Sequence, residues 1–444
     1  MVQNIMLPRD GQTGGAQMTD DELLLDLREM LDQLGIQERV VPEEIRRPMV
    51  VTRKRSRLAN REEELQRTLN TLEDDVLLPD LLFRLGNLHL REENFSHAMM
   101  LYEKSLEEDD RKTQTWINLG LTNLLTDEPR EAISCFSSAL AIEPENVEAL
   151  TYLGLAHLEI GELEICKRNL RSAIEQSPNS DRANLAMGLL FEEEGNLPVA
   201  VGWLERAIKA NPSCVGAYLE LGKVHLERGD LDRALDVLER GRKEDPQQKS
   251  VLEVLGDLYF KMKDFMKALE YYDMAINLSM DDPELWIKKG DTHAESSSYR
   301  QASEAYLKAM NADPGNVEAW TKAGQMQLLL GHMGAALEYF NTALTLDSEN
   351  SDVAHRRGRI YMAMDRLDDA LSDFDLAFSS EPSNPEHLYY RAHVLEKLDR
   401  LPEAQRTWEV AMNLYEELGK ATRLAECKAR IRRIKRRREA KESA

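Results

Sequence analysis

Apolar residues recur along this chain at helical spacing in paired runs. Leu219, Leu221, Val224 and Leu226 form one run, and Leu231, Ala234, Leu235 and Leu238 the next, with Arg228-Gly229-Asp230 between them. The spacing predicts two amphipathic helices joined by a tight turn. The same pattern returns with a fixed period. Glycine stands at Gly86, Gly120, Gly154, Gly188, Gly222, Gly256, Gly290, Gly324 and Gly358, always 34 residues apart, and the small Ala392 continues the series. Twelve residues after each lies a second small column, from Ala98 and Ala132 through Cys166 to Ala404. A third follows at nineteen residues, from Ser105 and Ala139 to Ala411. Between these two runs a bulky column: Tyr102, Phe136, Leu170, Leu204, Leu238, Tyr272, Tyr306, Phe340, Phe374 and Trp408. Ten repeats tile residues 79–418 without an insertion or deletion.

Helix packing explains the columns. A small residue at a fixed point lets two helix axes approach, and a bulky one fills the space beside it. Proline closes many repeats (Pro144, Pro178, Pro212, Pro246, Pro314, Pro382), where it stops one helix and starts the next. Each repeat is thus a helical hairpin with apolar surface on both flanks, which its neighbours must cover. The predicted class is all-α.

At these residues the chain resembles the tetratricopeptide repeat family. The clearest matches are Trp116, Leu119, Gly120, Ala132, Phe136, Ala139 and Pro144, and again Trp320, Gly324, Ala336, Phe340 and Ala343. The resemblance covers about three-quarters of the chain. It implies antiparallel helix pairs stacked as a right-handed superhelical solenoid. Asp110, Met280, Ser348 and Glu416 replace the closing proline, and Lys289, Ala323, Arg357 and Arg391 replace the usual leucine. These departures gather in the last repeats, where regularity is expected to loosen.

Outside the repeats, residues 1–18 are Gly-rich and polar, which predicts disorder. Residues 19–78 read as a helical extension or cap. It opens on a capping box, Thr19 to Glu22, and carries a basic linker with Arg46, Arg47, Arg53, Lys54, Arg55 and Arg57. Residues 419–444 keep an apolar stripe suited to a capping helix, then end in a basic tail: Arg430, Arg432, Arg433, Lys435, Arg436, Arg437 and Arg438. The net charge of −23 therefore hides a polarity. Residues 1–418 carry −31 and residues 419–444 carry +8. A uniformly basic nucleic-acid binder is excluded, a basic end is not.

In this family partner segments lie on the concave face, lined by the first helix of each pair. By resemblance the lining positions are the second, fifth, sixth, ninth, twelfth and thirteenth of each repeat. The first two repeats place Phe83, Asn87, Ile117, Asn118, Leu121, Leu124 and Leu125 there or beside it, an expected apolar mouth. Repeats three to seven place Glu148, Glu159, Glu192, Glu193, Glu220, Glu227, Glu253, Asp257, Glu284, Asp291 and Glu295, opposed by Arg182, Lys223, Lys261 and Lys288. That section sums to about −7. Lys322, His355, Arg356, Arg359, His393 and Lys397 make the last three repeats mixed. A negative channel attracts basic or amphipathic peptide. A carboxylate clamp is not expected, because Phe83, Glu148 and Tyr152 stand where the family's cations would be. The asparagine ladder of glycosyl-transferring relatives is also missing, with only Asn118 in its column.

No catalytic, cofactor or metal site is expected. His89, His157, His225 and His293 share one column in alternate repeats. Neighbouring helix axes lie about 8–10 Å apart, so alternate repeats stand much farther apart than ligands that share one zinc at about 2.0–2.1 Å. Gly216 to Gly222-Lys223 has the wrong glycine spacing for a phosphate loop, and Val224 stands where Ser or Thr is needed. Cys135, Cys166, Cys214 and Cys427 sit singly, which points to a reducing, cytoplasmic setting. The expected function is a non-enzymatic scaffold for protein partners. The alternative is a tether to nucleic acid or an anionic membrane through the basic tail.

Overall fold

A computed structural model describes residues 78–442, and among these every regular element is an α-helix. Contacts divide the chain into two compact units, residues 1–246 and 247–444. The described part of the first holds α1 (Leu78–Arg91), α2 (Phe95–Glu108), α3 (Thr113–Leu125), α4 (Pro129–Ile142), α5 (Val147–Glu159), α6 (Leu163–Gln176), α7 (Asp181–Glu193), α8 (Leu197–Ala210), α9 (Val215–Glu227) and α10 (Leu231–Glu244). The second holds α11 (Lys249–Lys261), α12 (Phe265–Leu278), α13 (Pro283–Glu295), α14 (Tyr299–Ala312), α15 (Val317–Leu329), α16 (Met333–Leu346), α17 (Ser351–Ala363), α18 (Leu367–Ser380), α19 (Pro385–Lys397), α20 (Leu401–Glu417) and α21 (Ala421–Glu442). The expected disorder over 1–18, and the extension with its capping box and basic linker, lie outside the described residues apart from Leu78.

Each odd-numbered helix pairs with the even-numbered one that follows, and within each unit a second helix then packs on the next first helix. First helices also touch one another, as α1, α3, α5, α7 and α9 do in series. The small and bulky columns meet inside each pair. A Cβ added at Gly222 would lie 2.4 Å from Leu238 Cδ2, and one at Gly290 equally close to a ring carbon of Tyr306. The bulky column is buried throughout, with Trp408, Phe136, Phe340 and Phe374 wholly sealed.

The turn inside each repeat is a second constant. The fifteenth residue has positive φ in all ten, from Glu93 (58°) to Asp399 (57°), yet only Gly161, Gly195, Gly229 and Gly331 are glycine. The next residue's N–H closes back on the carbonyl five before it, as Asp230 does on His225 at 2.8 Å. This is the left-handed helix cap that satisfies otherwise orphaned carbonyls. First helices are capped at the other end by side chains of Asn146, Ser180, Asp282, Asn316, Asn350 and Asn384.

The expected loosening of the last repeats is not seen. α12 and α16 keep the usual 14 residues although Met280 and Ser348 replace proline, because the residues before these, Ser279 (φ −146°, ψ 85°) and Asp347 (φ −133°, ψ 92°), already leave helical geometry. Among the second helices only α20, which takes in Glu416, runs on to 17. The basic residues in the leucine column are answered by acids on second helices. Arg357 makes two bonds to Asp373 (2.8 and 2.6 Å), Lys289 pairs with Asp273, and Arg391 with Asp375.

Two substitutions test this packing. Gly222→Ala overfills the contact with Leu238 and is expected to lower stability by about 1–3 kcal/mol. Lys263→Gly relieves a left-handed residue (φ 61°) and is expected to raise it by up to about 1 kcal/mol. Urea midpoints read both, and equal midpoints for all three proteins would refute the packing account.

Candidate functional site

The inner layer of first helices carries the expected lining positions, and the structure sorts them into closed and open ones. The apolar mouth is closed. Ile117 and Leu121 are 0 % and 5 % exposed, and Leu124 and Leu125 join them in the core. Phe83 is half-buried, its ring tilted against Tyr102 at 6.1 Å. The expectation of an apolar docking surface there is corrected, because neighbouring helices have already covered these side chains.

Asn87 and Asn118 meet one another. Asn87 Oδ1 accepts from the Asn118 amide at 2.7 Å and from the Tyr102 hydroxyl at 2.7 Å. The same three register positions recur in the second unit. Tyr272 donates to Asp257 at 2.7 Å, and Lys288 reaches Asp257 and Glu253, both at 2.7 Å. Tyr306 donates to Asp291 at 2.6 Å, and Lys322 reaches Asp291 and Glu318, both at 2.7 Å. Each triad ties a second helix, through its own first helix, to the first helix of the next repeat. Burial pushes the Tyr102, Tyr272 and Tyr306 phenols well above their ordinary value, so they stay donors at any physiological pH. The chain carries the signal for this. Tyrosine occupies the bulky column at 102, 272 and 306 alone, and Asn or Asp occupies the ninth position in those repeats alone.

Much of the expected acidity is therefore answered. Glu148 pairs with Arg182 at 2.8 Å, and the guanidinium also donates to the Tyr152 hydroxyl at 2.9 Å. In the second unit, Lys288 pairs with Glu253 and Asp257 and Lys322 with Asp291 and Glu318, so two cations offset half of four carboxylates, while Glu284 and Glu295 make no salt bridge among the described residues. Arg356 is held by Asp352 at 2.6 Å, and Arg359 lies over the Tyr390 ring at 5.3 Å. The first unit differs. Glu159, Glu192, Glu193 and Glu227 make no salt bridge among the described residues, and Glu220 has only Lys223, at 3.0 Å. Burial, and then the charge of Glu220, push the Glu192 carboxyl up to about 7.

The histidine column serves the turns. His157 Nδ1 lies 2.7 Å from Glu162, and His89 stacks on His97. Among the described residues no three His, Cys, Asp or Glu side chains gather as a metal site. Cys135, Cys166 and Cys427 are buried, and burial raises the Cys166 thiol to about 12. No described helix is long and apolar enough to cross a membrane.

At the chain's other end, α21 lays Cys427, Ile431 and Ile434 on the core that α19 and α20 share. Arg423 stacks over Tyr389 at 4.1 Å, Arg430 lies 3.8 Å from Glu396, Arg437 3.2 Å from Asp399, and Arg438 donates to Gln405 at 3.0 Å. Arg432, Arg433 and Arg436 line an open depression on the outward face, with Lys435 exposed nearby.

Two predictions rest on these contacts. Tyr306→Phe strips Asp291 of its buried donor and is expected to cost about 1–2 kcal/mol, read by urea denaturation; no change would remove the triad's role. Burial holds His355 and His393 down at about 4. The unfolded chain, with ordinary histidines near 6.5, takes up protons first as pH falls. Stability should therefore drop from about pH 6.5 to about pH 4, and less steeply in His355→Gln. An equal slope in both would contradict it.

Comparison with protein families finds tetratricopeptide repeat models matching residues 126–164, 167–213, 287–351 and 355–409, and a second such model matching 191–258 and 225–292. No curated protein matches the chain. Among solved structures the chain is similar to YrrB, described as a TPR protein with an unusual peptide-binding site. Identity is 21 %, over 42 % of this chain and 97 % of that one, with TM-score 0.37. It is similar to Pseudomonas aeruginosa PilF (20 %, 48 % and 97 %, TM-score 0.42). It is also similar to a chain of the APC/C hetero-tetramer Cut9–Hcn1 (15 %, 76 % and 82 %, TM-score 0.43).

Proposed function

We propose that this chain, which belongs to the tetratricopeptide repeat family, is a non-catalytic scaffold that holds a partner polypeptide against the inner faces of its first helices. The family mediates protein–protein interactions, and the finer reading concerns the partner's chemistry. The observation that carries it is the group of carboxylates on α7 and α9, Glu192, Glu193, Glu220 and Glu227, with Lys223 the cation among them. Unanswered charge in a partly desolvated setting draws a basic segment. With Ile117 and Leu121 already covered, the partner is better described as basic than as amphipathic. Fluorescence anisotropy of a labelled arginine-rich peptide, titrated with the full chain, tests this. Affinity should fall about tenfold or more between low and high salt. Salt-independent binding would refute the electrostatic reading.

A second reading rests on the outward arginines of α21. Arg432, Arg433 and Arg436 make no ion pair among the described residues, and such a face suits phosphate groups. Arg432→Gln/Arg433→Gln/Arg436→Gln should lose binding to an RNA oligonucleotide or to phosphatidylserine vesicles while keeping the peptide. Unchanged binding to both would dismiss the tether.

A further inference from the structure

Along the inner layer, the sixth residue of one repeat answers the ninth of the repeat before it. Asn118 meets Asn87, Lys288 meets Asp257, and Lys322 meets Asp291. In the fifth repeat the sixth residue is Glu220, and the ninth of the repeat before is Leu189, which offers it nothing. Glu220 is nonetheless 1 % exposed. Its Oε1 accepts from Lys223 at 3.0 Å, while its Oε2 has no partner among the described residues. Glu192 Oε2, on the adjacent first helix, is likewise buried without a partner among the described residues. A buried acceptor left unmatched costs stability, and more when it is charged. Two such oxygens on neighbouring carboxylates call for a donor from outside.

We propose that Glu192 and Glu220 form an anionic subsite that takes one arginine side chain of the bound polypeptide. The inference rests on the basic-partner reading and names the residue type at one point of it. A guanidinium carries five N–H donors in a planar fork, enough to bridge two carboxylates, and an ammonium lacks that reach. Calcium is a poorer fit, since it takes six to eight oxygens and the pair is flanked by Lys223. Glu220 is held by Lys223, whereas Glu192 keeps part of its surface in solvent and can turn to admit the ligand. Glu193, Glu220 and Glu227 raise the Glu192 carboxyl and Lys223 opposes them, burial being the largest cause. Arginine favours the ionised form, so its binding expels a proton and strengthens as pH rises through about 7.

The test uses the full chain and a labelled acetyl-Arg-Gly-Arg-Gly-Arg-amide peptide, with its citrulline counterpart as control. The arginine peptide should bind about tenfold or more tighter than the citrulline one, and tighter at pH 8 than at pH 6. Glu192→Gln and Glu220→Gln should each weaken it about fivefold or more and flatten the pH dependence, while Glu338→Gln, on the exposed side of second helix α16, leaves it unchanged. If Glu220→Gln does not fold, the half-exposed Glu192→Gln decides. Peptide binding that ignores Glu192→Gln and pH overturns the subsite and leaves the wider basic-partner reading standing. Absence of any arginine-peptide binding overturns both. A variant with Arg46, Arg47, Arg53, Arg55 and Arg57 changed to Gln separates the sources of the arginine. Tighter peptide binding assigns it to the chain's own segment, and unchanged binding to a partner.

Discussion

The contact between a glycine in the first helix and a bulky side chain in the second is the constraint on which the rest depends. At Gly222 and Leu238 there is no room for a single added carbon. Repeated every 34 residues, this contact sets how closely the two helices of a repeat approach and fixes their rotation about their own axes. The rotation decides which positions turn inward, where first helices meet first helices. A drift of one residue would bury charges and expose leucines.

Given that rotation, the chemistry of the inner layer is decided between repeats and not within them. Tyr272, Asp257 and Lys288 come from three different helices, and the acid in the middle is answered by both neighbours. Where the neighbour is wrong, as with Glu220 after Leu189, the repeat before offers the buried carboxylate nothing, and Lys223 of its own helix meets one oxygen alone. The first unit keeps open carboxylates for this reason, and the second unit spends most of its own in cross-repeat bridges.

The fold was legible from the columns, since period, helix pairing and the small-against-bulky contact all follow from spacing. The site was less legible. Asp257 and Asp291 count toward a negative channel by position alone, because the lysines that cover them lie 31 residues downstream, in the next repeat. Ile117 and Leu121 read as a mouth for the same reason: burial by a neighbour leaves no local mark. The Tyr-to-Asx correspondence at 102/87, 272/257 and 306/291 was present in the sequence and would have revealed the bridges. Loss of the closing proline mattered less than its place in the repeat implied, because Ser279 and Asp347 leave helical geometry without it, and Asp282 and Asn350 cap the next first helices.

The claim at the centre is that the inner faces of the first helices receive the partner. The most direct measurement is photocrosslinking from a benzophenone placed beside an arginine in a bound basic peptide, with the crosslinked residues mapped by mass spectrometry. Attachment to α7 and α9, near Glu192 and Glu227, is the predicted result. Attachment confined to second helices or to α21 would contradict it.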